Sequence, residues 1–326
     1  MSRRIKWGVL GTASIAWKQT IPGMQKAENA CLYAIAGRNP EKTAHFQKEF
    51  RFEKAYGSLD ALLEDENVDA VYIPLPNHMH KEWIMKAARK KKHILCEKPL
   101  APTPQEVEEV TEFCRKEGVI LAEAFAYLHS PLTREIIDVV HQKVIGDPTM
   151  IQMSFYSVKW PQDNIRLKKE MFGGCTYDLA CYNISMILKL LEEQPVKVNA
   201  MARFMDNGVD DYCNMFLEFP SGACVSAACG MFSSQRGSRF YIHGTGGILE
   251  TVYAYNFDGE VSYRIIKDGK VEERKMQVPS NYMLEVEQFG RCILKEEESV
   301  LVTNEFSLEV SRLLHRVLLE IGYDEQ

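Results

Sequence analysis

The chain has 326 residues, a length that predicts two domains rather than one. Hydrophobic residues make up 46% of it and charged residues 26%, a globular composition that excludes a disordered or collagen-like chain. There are 39 Lys and Arg against 45 Asp and Glu, which gives a net charge of −6. A chain with this charge has no general electrostatic attraction to nucleic acid or anionic lipid, so neither is expected as a partner.

Cysteine usage and hydropathy indicate the compartment. The nine cysteines are scattered and form no C-x-x-C pair, which favours buried, reduced thiols in a cytoplasmic protein. The basic N-terminus leads into Gly8 and Gly11 instead of the apolar core of a signal peptide. No apolar run approaches the roughly 20 residues that a membrane span needs. We therefore expect a cytoplasmic protein with no membrane partner.

The first part of the chain alternates short apolar runs with amphipathic segments. The apolar runs, which we interpret as strands, are 5–10, 31–36, 70–73, 93–96 and 119–122. The segments between them, which we interpret as helices, are 14–26, 40–50, 58–64, 78–91 and 104–116. Short strands that alternate with helices predict βαβ units and a doubly wound parallel sheet.

The pattern changes near Gly146-Asp147-Pro148. The later strands are predicted at 150–158, 197–204, 212–219, 223–228, 240–243, 248–253, 261–266 and 271–276. Helices are predicted within 171–191, where Gly173-Gly174 open the helix, and at 282–294 and 306–321. Short turn-like connections between the strands predict hairpins and a mainly antiparallel sheet. We expect an α/β chain with domains at 1–125 and 126–326, the C-terminal helices being free to pack back on the first domain.

The first predicted strand runs into a glycine turn. Its residues are Gly11, Thr12, Ala13, Ser14, Ile15 and Ala16. A strand, a glycine turn and a helix N-terminus bring backbone N–H groups against a pyrophosphate. Gly11 and Ala16 fit the G-x-G-x-x-G/A pattern, but Ala13 replaces the middle glycine. An ordinary βα turn is the alternative, and the N-terminal position before a run of βα units favours dinucleotide binding.

The end of the second strand indicates which dinucleotide binds. A carboxylate there would hold the ribose hydroxyls of NAD, but the sequence has Gly37-Arg38-Asn39. The Arg38 guanidinium suits a 2′-phosphate, which it can bind with two parallel hydrogen bonds. The sequence therefore predicts NADP as the preferred cofactor over NAD. A solvated surface arginine is the alternative.

The third predicted strand of the sheet ends in a polar segment at the carboxyl edge, where ligands bind. Leu75, Asn77 and His80 lie in it, and Asn77 is a candidate cap for the helix that follows. His78 and His80 could suggest a metal, but no third ligand lies nearby in the sequence. We predict no metal site.

Two further groups of residues carry the predicted chemistry. Glu97-Lys98-Pro99 follows strand 93–96, where a lysine can stabilise charge that builds on a substrate oxygen. A surface pair of Glu97 with Lys98 is the alternative, although neighbours on a strand point to opposite sides.

Asp178 and Tyr182 stand four apart and share one face of a helix. A phenol, with a pKa of about 10, becomes a usable base only beside a cation; packing and a hydrogen bond are the alternative for this pair.

In order and spacing, these motifs resemble the Gfo/Idh/MocA family of NAD(P)-dependent oxidoreductases. The likeness runs nearly end to end, and its most specific part is Glu97-Lys98-Pro99. It is strongest toward the D-xylose 1-dehydrogenase and dimeric dihydrodiol dehydrogenase branch, where a tyrosine stands at the position of Tyr182. This sequence departs from the family pattern after Tyr127, where Leu128-His129 stands in place of the common arginine-histidine pair.

The resemblance implies a Rossmann domain, followed by an α+β domain whose large open-faced sheet builds a homodimer or homotetramer. It implies that Lys98 and Tyr182 are catalytic, that Asp178 orients the substrate and that Arg166 faces it. It also places Asn77, His80 and Glu97 beside the nicotinamide. The expected activity is hydride transfer between NAD(P) and a hydroxyl-bearing carbon of a sugar, polyol or dihydrodiol. Two alternatives are a non-catalytic NAD(P) sensor, which would lack the lysine at position 98, and an NAD-dependent glycosidase.

Overall fold

A computed structural model describes residues 3–325. Within them the chain forms two compact units. The first comprises the described residues up to His129 together with Pro279–Leu308, and the second comprises Ser130–Val278 and the described residues from Glu309 onward. The chain therefore leaves the first unit once and returns to it for residues 279–308, a segment that the predicted division at 125 and 126 counts with the second domain.

The first unit contains a parallel sheet. Its strands are β1 (Ile5–Leu10), β2 (Ala30–Ala36), β3 (Lys54–Tyr56), β4 (Ala70–Ile73), β5 (His93–Glu97) and β6 (Leu121–Ala124). Within residues 3–325 these six strands are ordered β3-β2-β1-β4-β5-β6, and each neighbouring pair is parallel. This is the strand order of a Rossmann fold, and it confirms the predicted doubly wound sheet. The short edge strand β3 was not predicted from the sequence.

Helices cross between the strands and begin where the sequence has capping residues. They are a π-helical turn (Ala16–Thr20), α1 (Ile21–Lys26), α2 (Pro40–Phe50), α3 (Leu59–Leu63), α4 (His80–Arg89) and α5 (Pro104–Glu117). Side-chain oxygens of Asn39, Ser58 and Thr103 accept backbone N–H groups in the first turns of α2, α3 and α5. Gly118 ends α5 with a φ of 69°, which glycine adopts without a steric cost.

The two faces of this sheet carry separate apolar cores. Val71, Ile73 and Ile94 point to one face and pack with residues of α4 and α5. Trp7 and Tyr72 point to the other, where they pack with residues of α1 and with Phe289. Because both faces are covered, the strands are continuous apolar runs rather than alternating ones.

The second unit is built on a larger sheet. Its strands are β7 (Pro148–Val158), β8 (Lys197–Phe204), β9 (Asp210–Glu218), β10 (Cys224–Ser233), β11 (Gly237–Gly244), β12 (Gly247–Thr251), β13 (Gly259–Lys267) and β14 (Lys270–Val278). Within the described chain these eight strands are ordered β14-β13-β12-β11-β7-β10-β9-β8. Only the β7–β10 pair is parallel among the pairs of this part of the chain. The mainly antiparallel sheet is confirmed.

The remaining helices are α6 (Pro131–His141), α7 (Cys181–Leu191), α8 (Asn281–Ile293) and α9 (Asn304–Glu320). A second π-helical turn, Thr176–Ala180, leads directly into α7. Helix α6, which contacts α7 and β14, was not predicted from the sequence. Burial alternates along β8, every second residue being exposed, so one face of this sheet edge is open to solvent. No helix among residues 3–325 combines the length and apolarity that a membrane crossing requires.

Candidate active site

The glycine turn after β1 has the backbone that a dinucleotide requires. Gly11 has a φ of 121°, and its N–H donates to the carbonyl of Ala36 over 2.8 Å. A Cβ at Gly11 would lie 3.1 Å from Cδ2 of Leu75, so the turn is closed on that side by an apolar side chain. Helix begins at Ser14, and the first N–H groups of a helix have no partner within it. The turn fits the pyrophosphate of a dinucleotide.

Exposed cations lie at the start of α2, beside this turn. Arg38 is exposed and forms no ion pair with any residue from 3 to 325. Asn39 accepts the N–H of Lys42 over 2.9 Å, so its side chain serves as a helix cap. A cavity of about 240 Å³ opens here, lined by Thr12, Ser14, Trp17, Lys42, His45 and Phe46. Lys42 is a candidate phosphate ligand that sequence analysis missed, although its place in the first turn of a helix four residues after Arg38 was a usable signal.

His80 holds two loops together. Its side chain is fully buried, with Nδ1 2.9 Å from the Pro99 carbonyl oxygen and Nε2 2.8 Å from the Leu75 carbonyl oxygen. Burial lowers the pKa of His80, which favours the neutral ring that donates to one of the two oxygens. His80 therefore lies buried between the loop that contains Leu75 and the loop that contains Pro99. Direct contact of His80 with a cofactor stays a prediction.

The expected cap at Asn77 is wrong. A 3₁₀ turn (Asn77–Met79) precedes α4, and Met79 occupies the cap position of that helix without a side-chain hydrogen bond. Pro76 itself holds the cap position of the 3₁₀ turn, with an extended backbone (φ −59°, ψ 146°), so Asn77 already lies inside the first turn.

Glu97 ends β5 and Lys98 follows it, and the two side chains have different surroundings. Tyr72 donates to Oε1 of Glu97 over 2.5 Å, and Thr20 donates to the Tyr72 oxygen over 2.9 Å. Burial raises the pKa of Tyr72 well above its usual value, so the phenol stays a donor. Lys98 is half-buried and precedes Pro99 through a cis peptide bond. Lys98 therefore stands between a glutamate that is hydrogen-bonded to Tyr72 and a buried proline.

The turn is also held from β6. Oε1 of Glu123 accepts the backbone N–H of Leu100 over 2.8 Å, and Glu123 is buried. Neither Glu123 nor Glu285 of α8, a second buried carboxyl group near Glu97, was predicted as a site residue from the sequence. Neither lies in a motif that periodicity makes visible, since an acid inside an apolar strand or helix looks like an exposed position.

In the second unit, Asp178 lies on the π-helical turn and Tyr182 in the first turn of α7. Nε of Arg166 donates to Oδ2 of Asp178 over 2.8 Å. Two residues that were each expected to face the substrate, Arg166 and Asp178, are thus paired with one another. A π turn is a frequent feature of functional sites.

Tyr182 stands in an aromatic wall. The rings of Phe155 and Tyr255 lie 5.2 and 5.3 Å from its ring centre. Nδ2 of Asn256 lies 3.5 Å from the phenol oxygen. The wall fixes the ring and leaves the oxygen end next to a polar group. The expectation that Tyr182 and Lys98 share one ligand joins residues of different units and stays a prediction.

Metal binding has no structural support. Among residues 3–325 no group of three or more His, Cys, Asp and Glu side chains is placed to hold an ion. Both ring nitrogens of His80 face backbone carbonyl oxygens.

A Rossmann strand order with a phosphate-binding turn, and a lysine at the carboxyl edge of the same sheet, define the class: a dinucleotide-dependent oxidoreductase. Comparison with known proteins agrees. Residues 5–125 match the description "Oxidoreductase family, NAD-binding Rossmann fold", and residues 133–250 match the "GFO/IDH/MocA C-terminal domain". The chain belongs to the GFO/IDH/MocA family of oxidoreductases.

Individual relatives resemble the chain over nearly its whole length. "D-xylose 1-dehydrogenase (NADP(+)) 2" of Haloferax volcanii is 34% identical over 95% of each chain. "Trans-1,2-dihydrobenzene-1,2-diol dehydrogenase" of Xenopus tropicalis is 28% identical over 97% of this chain and 98% of its own. A 3-ketoreductase from Actinomadura kijaniata, crystallised with NADP and TDP-benzene, has a TM-score of 0.92 at 27% identity over 98% of each chain. These similarities support the predicted likeness to the D-xylose 1-dehydrogenase and dihydrodiol dehydrogenase branch of the family.

Proposed function

We propose that this protein is an NADP-preferring dehydrogenase or reductase that acts on a hydroxyl or carbonyl carbon of a sugar or a related polyol or dihydrodiol. The similar proteins named above act on D-xylose, on a dihydrobenzenediol or as a 3-ketoreductase. Two of them carry NADP in their names or crystals. What these substrates share is a hydroxyl-bearing ring carbon or its ketone.

The preference for NADP rests on the start of α2. Lys42 lines the cavity beside the glycine turn, and Arg38 is exposed just before α2. The residues directly after β2, Gly37-Arg38-Asn39, include no carboxylate to bind a ribose hydroxyl pair. A 2′-phosphate carries the charge that these cations would neutralise. The Gly11 turn supplies the backbone that both NAD and NADP need.

The chain's own residues handle the proton. Bound nicotinamide would supply the hydride exchange with the substrate carbon. Tyr182 exchanges the hydroxyl proton through its phenol oxygen, and the Lys98 ammonium favours the phenolate and stabilises negative charge on the substrate oxygen. Lys98 does so from a turn whose backbone is fixed by His80 and Glu123.

Asp178 orients the substrate, with Arg166 holding its carboxylate. The side chains of Asp178 and Arg166 are only 16% and 31% exposed, so their ion pair is partly desolvated and directional. A carboxylate oxygen held in this way is a suitable acceptor for a sugar hydroxyl. The observation that carries the proposal is this ion pair, whose Asp178 lies on a π-helical turn four residues before Tyr182. The Tyr182 ring is itself packed between aromatic rings.

The test is an assay of net cofactor turnover. D-Xylose, D-glucose and trans-dihydrobenzenediol are each incubated with the protein and NADP or NAD, and the absorbance of reduced nicotinamide is followed. We expect NADP-dependent reduction with at least one substrate. A protein that retains NAD tightly and accumulates no reduced cofactor with any of them would contradict the proposal and indicate the sensor or glycosidase alternatives.

Tyr182→Phe tests the assigned base. A general acid/base contributes typically 10²–10⁴-fold, so turnover should fall by about that factor, while the ring keeps its packing against Phe155 and Tyr255 and NADP affinity stays the same. Tyr241→Phe, a half-buried tyrosine of β11, is the matched control and should turn over normally. Near-wild-type turnover in Tyr182→Phe would remove Tyr182 from the mechanism.

We also infer a homodimer or homotetramer formed through the open face of the second sheet, in a cytoplasmic protein. Met201 of β8 and Phe216 of β9 are 63% and 48% exposed on adjacent strands, more large apolar surface than a solvated sheet face needs. Within the described residues all nine cysteines are free, which suits a reducing compartment. Light scattering should give a dimer or tetramer that Phe216→Asp dissociates.

A further inference from the structure

The turn that carries Lys98 is fixed by two buried side chains, which bind the carbonyl oxygen and the N–H of one peptide group, the one between Pro99 and Leu100. One ring nitrogen of His80 lies 2.9 Å from the carbonyl oxygen of Pro99. Oε1 of Glu123 accepts the N–H of Leu100 over 2.8 Å. Glu123 is 3% exposed and Leu100 1%, so the second contact is shielded from water. A hydrogen bond to an ionised, desolvated carboxylate is stronger than one to a neutral acceptor.

Glu123 faces the end of β5 because of the sheet register. In the β5–β6 pair Glu123 stands opposite Cys96, the residue two before Lys98. Its second oxygen, Oε2, is buried and lies near the Ser307 hydroxyl, but it forms no hydrogen bond of ordinary geometry with any residue from 3 to 325. Strand β6 is otherwise apolar, yet it has a buried acid beside the start of the turn that carries Lys98. Only one of the two carboxyl oxygens of this acid is hydrogen-bonded to the protein.

We propose that Glu123 is a positioning residue for Lys98, which fixes the backbone of the Lys98-Pro99-Leu100 turn and supplies a buried counter-charge to the ammonium. The inference rests on the proposed function in that Lys98 is the catalytic amine. Glu123 itself touches neither substrate nor cofactor in this scheme, and it acts only through the turn and through its charge.

The counter-charge is present in only part of the pH range. Burial raises the pKa of Glu123 to about 7, and the nearby Ser307 hydroxyl, the Leu100 N–H and the Lys98 ammonium oppose that rise, while Glu97 adds to it. Cys96 faces the same group from β5 and stays a neutral thiol, because burial raises its pKa well above the usual value. His80 faces Lys98 from α4 and is favoured in the neutral form. Glu123 is thus the group whose charge changes near neutral pH.

The test measures the reactivity of the Lys98 amine, without any substrate. The full-length protein is acetylated competitively with trace acetic anhydride at a series of pH values, and peptide mass spectrometry gives the rate for each lysine. In the wild type, the logarithm of the Lys98 rate should rise with a slope below one through about pH 7, because ionising Glu123 holds the proton on the amine. In Glu123→Gln the bend should vanish and the midpoint of Lys98 titration should fall by about 0.5 or more.

Two further variants keep the inference testable if Glu123→Gln does not fold. Ser307→Ala removes the hydroxyl that favours the ionised form, so the bend should move to higher pH. Glu117→Gln removes one glutamate charge from the end of α5, where Glu117 pairs with Lys91, and should leave the Lys98 curve unchanged. Superimposable Lys98 curves in wild type, Glu123→Gln and Ser307→Ala would overturn the inference.

An activity profile then separates this inference from the proposed function. If a substrate is found, the pH profile of kcat in Glu123→Gln should lose its inflection near 7, with NADP affinity unchanged. If no sugar or dihydrodiol is turned over, the proposed function fails, yet the acetylation curves still decide whether Glu123 controls Lys98. If the wild type has no activity, but the bend in its Lys98 acetylation curve is lost in Glu123→Gln, the positioning role is supported and only the enzyme assignment is contradicted.

Discussion

Arg166 and Asp178 are joined by a hydrogen-bonded ion pair of 2.8 Å between Nε and Oδ2. The same guanidinium lies 4.6 Å from the ring centre of Trp160, so one arginine connects the loop after β7 to the helix that carries Tyr182. An arginine held by a carboxylate and an aromatic face has little rotational freedom left. The Asp178 carboxylate is consequently kept in one orientation before any substrate arrives.

Arg166→Met keeps the length of the side chain and removes the charge. We expect the substrate KM to rise about tenfold, which corresponds to ~1.4 kcal/mol, with a smaller change in kcat, because Asp178 is then free to leave its binding orientation. Steady-state kinetics with the substrate found in the assay measure both. Arg236→Met, an exposed arginine in the same unit, is the control for lost charge. A change confined to kcat would show that Arg166 does more than orient Asp178.

The cations at the start of α2 make a second prediction. Arg38→Ala or Lys42→Ala should weaken NADP binding about tenfold or more, the usual loss for a hydrogen bond to a charged group, and the double variant should bind NADP and NAD alike. NAD affinity should stay the same throughout, because NAD has no 2′-phosphate. Isothermal titration with each cofactor measures this. Lys48→Ala, at the far end of the same helix, should bind both normally. Unchanged NADP affinity in the double variant would remove the basis for the NADP preference.

How much could be predicted from the sequence depends on where each signal resides. The parallel sheet was predictable because β4 is an uninterrupted apolar run and β1 is broken only by Lys6. The hairpin sheet was predictable because glycine turns separate its strands. The edge strand β3 was missed because its three residues are exposed or half-buried and carry no apolar run. Helix α6 was missed although its apolar residues do recur at helical spacing, since it begins in the interval where a domain boundary was expected.

The candidate site divides in the same way. Gly11, Lys98 and Asp178 stand in local motifs, and local motifs are visible in one sequence. Glu123 and Lys42 acquire their surroundings from residues distant in the chain or from a turn of helix, Glu123 by bonding to Leu100 from the next strand. Long-range register decides such contacts, and register is set by the packing of the whole sheet rather than by any short pattern.

Gly11→Ala tests the turn directly. The backbone φ of 121° is costly for any side chain, and the added Cβ would meet Leu75 at 3.1 Å. We expect a loss of roughly 1–3 kcal/mol in unfolding free energy and weaker binding of both NADP and NAD. Urea denaturation and cofactor titration measure the two effects. Gly57→Ala is the control, because its Cβ would have no heavy atom within 4 Å, and that variant should be unchanged or slightly stabilised. Equal behaviour of the two variants would contradict the assigned role of Gly11.

Glu285 gives the protein a defined dependence of stability on pH. It is 2% exposed, and neither of its carboxyl oxygens forms a hydrogen bond with a described residue. Burial, and to a smaller degree the charge of Glu97, raise its pKa well above the usual 4.5. The folded protein therefore keeps a proton that the unfolded chain releases. The resulting stability is fully present below about pH 4.5 and is lost as the pH rises toward the raised value.

Glu285→Gln removes that titration while keeping the shape of the side chain. Compared with the variant, the wild type should lose about 1.4 kcal/mol of unfolding free energy per pH unit above the usual glutamate pKa, until Glu285 ionises in the folded state. Urea denaturation between pH 5 and 8 measures the difference between the two proteins. Glu296→Gln, an exposed glutamate beyond the end of α8, should follow the wild-type curve. Parallel curves of unfolding free energy against pH for wild type and Glu285→Gln would contradict the raised pKa of Glu285. The buried carboxyl would then have a compensating partner such as a bound water, and its pKa would be the same in the folded and unfolded states.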